Sequence, residues 1–269
     1  MSVQKPCNIH NNRWVTAAGL SAITIAASIG CTVTAGPAQP QPTLDAAAII
    51  REDAGGASMA DAGARAETAA VDSRPATNAD RYASAVVSFS PGGCAGFGRE
   101  RMPNVVLGPP EGGGASQGSL DVVSLGSGGS IVLSFEANPI VDGDGPDFLV
   151  FENAFNLGDD PQAPFAELGE VSVSDNGIEW RTFACTSTRF PYGDCAGWHP
   201  VYSASSTGIS ALDPANAGGD PFDLRVLGVA RAKYVRIRDL GRQPCPANST
   251  QITNGFDLDG IASLHSERP

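Results

Sequence analysis

From Arg81 onward, short apolar runs, some alternating with polar residues, are separated by turns rich in Gly and Pro. Period-two alternation marks a strand with one buried face, and closely spaced turn residues mark an all-β architecture. Strands are predicted at Tyr82–Phe89, Leu120–Leu125, Ser130–Phe135, Asp147–Phe151, Glu170–Ser174, Ile178–Phe183, Tyr234–Asp239 and Phe256–Leu264. Phe148, Leu149, Val150 and Phe151 make one of these apolar on both faces, as in a central strand. In Tyr234–Asp239, Val235 and Ile237 face one side while Arg236 and Arg238 face the other. Asp175-Asn176-Gly177 predicts a tight hairpin, and Trp180 beyond it is expected in the core. No helix-period pattern of useful length follows residue 81.

The N-terminal part reads differently. Lys5 and Arg13 precede the apolar stretch Trp14–Ile29, which is the layout of a secretory signal peptide over residues 1–30. The stretch is too short and too rich in Ala, Ser and Thr for a comfortable membrane span. Cys31 follows Ser28-Ile29-Gly30, which resembles a bacterial lipobox except that Ser28 stands where an aliphatic residue is usual. Lipidation at Cys31 is therefore expected, with cleavage after Ala35 the alternative; a lipid anchor needs no spanning helix. Residues 31–80, rich in Ala, Pro, Asp and Gly, cannot bury enough surface to offset ordering and read as a flexible, disordered linker. The β-sandwich domain is then residues 81–269.

Composition narrows the partners. With 29 Asp plus Glu against 17 Lys plus Arg, the net charge is −12, which argues against nucleic acid. An acidic surface is compatible with a divalent cation as well as with simple solubility. Six cysteines occur, and beyond Cys7 and Cys31 the other four make an even set suited to an oxidising compartment. Four cysteines allow three pairings. Cys185–Cys195, closing a short loop, and Cys94–Cys245, joining the first and last strands, are the preferred pair of bridges. No Cys-x-x-Cys pair suggests a zinc site.

Three segments together resemble a known family. Val171–Trp180 is similar to a hairpin of discoidin-like, galactose-binding-like jelly rolls, Ala230–Asp239 to a later strand of that fold, and Gly255–Ala262 to its closing strand. More narrowly, Val106–Pro110, Gly118–Gly126, Asp147–Asn153 and Phe256–Asp259 resemble a group of bacterial cell-surface proteins, often lipoproteins. The resemblance implies an all-β jelly-roll β-sandwich exposed at the cell envelope. Such jelly rolls often hold a structural calcium, but the group supplies no established activity.

The residues with chemical potential are mostly acidic. Asp142 and Asp144 lie in a Gly-rich loop and Asp147 opens the next strand, while Glu152 and Asn153 emerge at its other end. At about 3.3 Å per residue the two ends are too far apart for one ion, so they form two candidate clusters. Asp257 and Asp259, two apart in the last strand, project to one face. Calcium, which takes hard oxygen ligands in irregular loops, is the expected cation for Asp142, Asp144, Asp147, Asp257 and Asp259. The alternative is that Asp142 and Asp144 shape turns and that Asp257 or Asp259 pairs with Arg236 or Arg238. Phe190, Tyr192, Trp198 and Tyr202 surround the Cys185–Cys195 loop, so Tyr192, Trp198 and Tyr202 are candidate ligand contacts, packing being the competing role. No Gly-x-Ser-x-Gly elbow or phosphate loop occurs, and no spacing selects a catalytic carboxylate pair. The expectation is a monomeric, non-enzymatic, exported binding module for a glycan or other envelope component. Its membrane contact would be limited to a lipid anchor. A structural surface protein and, more weakly, a carbohydrate-active hydrolase are the alternatives.

Overall fold

The computed structural model describes residues 77–268. The signal peptide, Cys31 and nearly all of the linker expected from the sequence lie outside them. In chain order the strands are β1 (Ala85–Ser90), β2 (Val123–Ser124), β3 (Ser130–Ser134), β4 (Ile140–Val141), β5 (Phe148–Glu152), β6 (Phe155–Asn156) and β7 (Pro164–Phe165). They continue with β8 (Gly169–Ser174), β9 (Arg181–Thr182), β10 (Asp220–Phe222), β11 (Arg231–Ala232), β12 (Tyr234–Asp239) and β13 (Asp257–Ser263). Helical structure among the described residues is confined to short 3-10 turns. The fold is all-β.

Two antiparallel sheets form a sandwich. One has five strands in the order β1-β3-β12-β8-β9, the other four in the order β10-β5-β13-β2. Their inward side chains make one core: Ile131, Leu133, Val173, Val235 and Ile237 from the first sheet meet Phe148, Val150, Phe222, Leu258 and Ile261 from the second. Each such side chain contributes roughly 1.5–3 kcal/mol by leaving water. The alternation read in β12 holds, with Val235 and Ile237 fully buried and Arg236 and Arg238 outside. Strand β5 is central, paired with β10 on one side and β13 on the other. Its second face is buried because Leu149 and Phe151 pack against Val201, Ala211 and Ala217 of the long segment between β9 and β10.

Both preferred disulfides form, Cys94–Cys245 and Cys185–Cys195. The first ties the segment after β1 to the one between β12 and β13, so it joins loops rather than strands. The β8–β9 hairpin is also present, but its turn is wider than the tight form predicted. The Ser174 hydroxyl accepts from Asn176 and Gly177 N–H, and the Asn176 amide oxygen accepts from Ile178 and Glu179 N–H (2.9 Å each). These local bonds hold an enlarged loop. Trp180 is not in the core: it is half-buried on the outer face, with the Arg236 guanidinium 4.4 Å above its ring.

Candidate functional site

The described residues hold two groups of polar side chains that the fold assembles from distant segments, and a third near an open cleft. The first lies where β5 ends and β13 begins. Glu152 closes β5 and is 2 % exposed, and Asp257 opens β13 at 5 %. The β5–β13 register brings them together, so that Glu152 Oε1 accepts from the Asp257 backbone N–H at 3.1 Å. Asp257 Oδ2 accepts from the Thr253 hydroxyl at 3.2 Å. The remaining oxygens, Glu152 Oε2 and Asp257 Oδ1, are buried without a hydrogen-bond partner. Such atoms are uncommon in folded proteins.

Two further carboxylates adjoin them. Glu167 Oε1 accepts from Gly255 N–H at 2.9 Å, and Asp239, which ends β12, takes N–H groups from Gly128, Gly241 and Phe256. Burial, followed by repulsion from Asp257 and Glu167, drives Glu152 well above the usual carboxylate range. Burial, with Asp257 and Asp239 adding, lifts Glu167 to about 8. Burial also raises Asp257, opposed by the polar side chains of Ser124, Thr253 and Asn153. The ion pairs and hydrogen bonds of the described residues put no basic side chain on any of the four.

The five aspartates expected as metal ligands fall in three places. Asp142 and Asp147 come together with Asp223, one oxygen of each lying within 4.8 Å of the others. Asp147 is fully buried yet satisfied: Oδ1 accepts from Gly143 N–H at 2.7 Å and pairs with His265 Nδ1 at 2.9 Å, and Oδ2 accepts from Leu224 N–H at 2.7 Å. Arg225 supplies positive charge to Asp142 at 3.5 Å and to exposed Asp144 at 3.7 Å. Asp257 belongs to the group beside Glu152. Asp259 stands apart, accepting the Glu111 N–H on both oxygens at 3.1 and 3.0 Å. Burial, then the neighbouring carboxylates Asp121 and Glu111, push it to about 8 against the Glu111 N–H and Arg101. No pairing of Asp257 or Asp259 with Arg236 or Arg238, considered from the sequence, forms. Arg238 pairs with Glu170 at 3.0 Å and Arg236 covers Trp180, because both project from the far face of the other sheet.

The third group surrounds a cleft of about 240 Å³ lined by Leu149, His199, Pro200, Tyr202, Pro214 and Pro221. Asp220, 1 % exposed at the start of β10, holds His199 Nδ1 at 2.8 Å and also accepts from Gly197 N–H at 2.6 Å. Burial raises Asp220, and the bond to His199 opposes the rise. With Nδ1 engaged, Nε2 is the ring nitrogen left to meet a ligand. Trp198 stacks on the imidazole at 3.6 Å between centroids. Of the aromatic candidates, Tyr202 lines the cleft, 39 % exposed. Trp198 braces His199 from behind and donates its indole N–H to Cys195 O at 2.9 Å. Tyr192 packs edge-to-face with Phe190 and Trp198, at 6.3 and 6.0 Å. A larger depression of about 490 Å³ lies over Asn78, Tyr82, Leu107 and Pro109 and has no histidine or acid in its lining.

Sequence reasoning missed His199, Asp220, Asp223 and Glu167 as site residues. His199 and Asp220 are 21 positions apart and no spacing rule links them. Compared with protein-family models and with curated proteins, the chain matches none of either, so the site stands on its geometry.

Proposed function

We propose that this domain is a non-catalytic binding module of an exported, cell-surface protein, and that it takes one ring of a neutral glycan in the His199–Tyr202 cleft. The observation that carries the reading is the lining itself. An exposed phenol and an imidazole oriented by a buried carboxylate share one small open cavity walled by three prolines and Leu149. An aromatic face beside a fixed polar group suits a sugar, whose C–H face packs on the ring while its hydroxyls seek the imidazole. Among the described lining residues there is no carboxylate pair for glycoside cleavage, which supports binding over hydrolysis. The net charge of −12 favours a neutral ligand over an anionic one.

Two disulfides suit an oxidising compartment and so support export. A lipid on Cys31, with residues 32–80 as spacer, would hold the domain off the membrane; calcium support belongs to the same reading. The test is retention of the full chain on a panel of insoluble and immobilised polysaccharides, alongside Tyr202→Ala and His199→Ala variants. At least one neutral polysaccharide should retain the wild type, and Tyr202→Ala should weaken retention about tenfold, the equivalent of about 1.4 kcal/mol. No retention by the wild type, or equal retention by wild type and both variants, would shift the reading to a surface protein working by protein contact.

A further inference from the structure

We propose, resting on the glycan reading of the His199 cleft, that the loop closed by Cys185 and Cys195 carries a second sugar subsite. An open basin of about 510 Å³ lies over Thr186, Ser187, Thr188, Arg189, Phe190 and Pro191. These residues fall between the two cysteines of the short bridge, and their lining is polar where that of the cleft is mostly apolar. A band of partly exposed rings joins the two hollows. Tyr202 and His199 line the cleft, and Trp198 lies against the imidazole at 3.6 Å between centroids. Phe190, 39 % exposed and part of the basin, meets the same indole edge-to-face at 5.7 Å. Two ring contacts therefore separate Phe190 from His199, a distance that neighbouring rings of one glycan chain span.

The basin has donors to spare on a backbone that is held in place. Arg101, Arg225, Arg231 and Arg238 are paired with carboxylates, and Arg242 donates to Ser187 O at 2.7 Å. Among the described residues, the Arg189 guanidinium and the Thr188 hydroxyl take part in no hydrogen bond or ion pair, and both residues are exposed. The Ser187 hydroxyl donates to Arg189 O at 2.6 Å and to Pro191 O at 3.0 Å. With the disulfide closing it as well, the loop is shaped before a ligand arrives, which lowers the ordering cost of binding.

The chemistry of the two hollows defines the ligand class. An exposed ring beside free hydroxyl and guanidinium donors suits a pyranose, whose C–H face packs on Phe190 while its oxygens accept from Thr188 and Arg189. With one ring at Tyr202 and His199 and the next at Phe190, the ligand is a neutral glycan chain of two or more rings. Joining two contacts on one ligand makes the second intramolecular, so affinity grows beyond that of either contact alone. The competing role of Phe190, packing against Trp198, carries no dependence on ligand length. The subsite shares no residue with the cleft lining, so it can fail while the cleft stands.

The full chain is titrated calorimetrically with neutral oligosaccharides of one to four rings in gluco-, galacto- and manno-configuration. In the series that binds, affinity should rise at least tenfold from the single ring to two or three rings and then level off. Phe190→Ala and Arg189→Ala should remove most of that gain, whereas Tyr202→Ala should weaken the single ring as well. Arg189→Ala, at an exposed position without internal partners, keeps the test open if Phe190→Ala loosens Trp198. Equal affinity for one ring and for several overturns the subsite and leaves the cleft reading intact. Loss by the same factor at every length in both variants overturns it too, because the loop would then act only by packing on Trp198. Binding by no oligosaccharide, with no polysaccharide retained either, removes the cleft reading and the subsite together.

Discussion

At the scale of single residues, the cleft depends on two glycines as much as on its aromatic groups. Gly218 and Gly219 both have φ of +74°, a left-handed conformation that side chains resist. A Cβ on Gly219 would lie 2.6 Å from the Phe151 ring and 2.8 Å from Val150 O, pushing the segment off β5. Gly219→Ala should therefore destabilise the domain by about 2 kcal/mol from backbone strain alone, and more if the wall moves. It should also lower glycan affinity, because Gly219 and its neighbours form the cleft wall. Urea unfolding of the variant beside wild type checks this, and an unchanged midpoint with unchanged slope would show that the loop yields freely. Residue chemistry was only partly legible in the sequence. Tyr202 could be picked out as an aromatic near a short disulfide loop, but His199 acquires its role only when β10 carries Asp220 beneath it. Trp180 was misread because a hairpin aromatic packs equally well inside or under an outward arginine, and the placement of Arg236 decides which.

At the scale of elements, strands with a strong pattern were read closely and short ones were not. β12 has the predicted bounds because Val235 and Ile237 are flanked by arginines that cannot turn inward. β9 shrinks to Arg181–Thr182, since Ile178 is exposed and belongs to the enlarged turn. The acidic groups were less legible, because they depend on which strand ends meet. Asp142 and Asp147 are close in sequence, but Asp223 joins them through the pairing of β10 with β5, and Glu152 meets Asp257 through the irregular β5–β13 register. The disulfides act on elements too, and their unequal spans give a prediction. The bridges close sequence separations of 151 and 10 residues. In the chain-entropy model that corresponds to about 5 and about 2.7 kcal/mol. Replacing Cys94 and Cys245 together by Ser should lower the melting temperature more than replacing Cys185 and Cys195. The reverse order would mean that the aromatic group around Trp198 depends on the short bridge beyond its entropic effect.

At the scale of the whole molecule, the excess of acid is partly internal, and that couples stability to pH. Asp259, 3 % exposed, has its pKa lifted by burial to about 8, whereas an unfolded Asp titrates near 3.9. Between those values the folded chain holds a proton that the unfolded chain has released. The stability contributed is therefore complete below about pH 4 and is lost as pH rises toward 8. Glu152, Glu167 and Asp257 are all shifted upward and add to the same trend. In chelator the domain should melt several degrees lower at pH 8.5 than at pH 5.5, at roughly 2–4 °C per kcal/mol. Asp259→Asn cannot ionise at that position, so its melting curve should fall less steeply with pH and lie above wild type at the alkaline end. A pH series of melts in chelator, for wild type and Asp259→Asn, tests this effect. A wild-type curve that is flat from pH 5.5 to 8.5 in chelator, with the variant superimposed on it, would mean that the buried carboxylates relax to water in solution and that the acidic interior is not a store of pH-dependent stability.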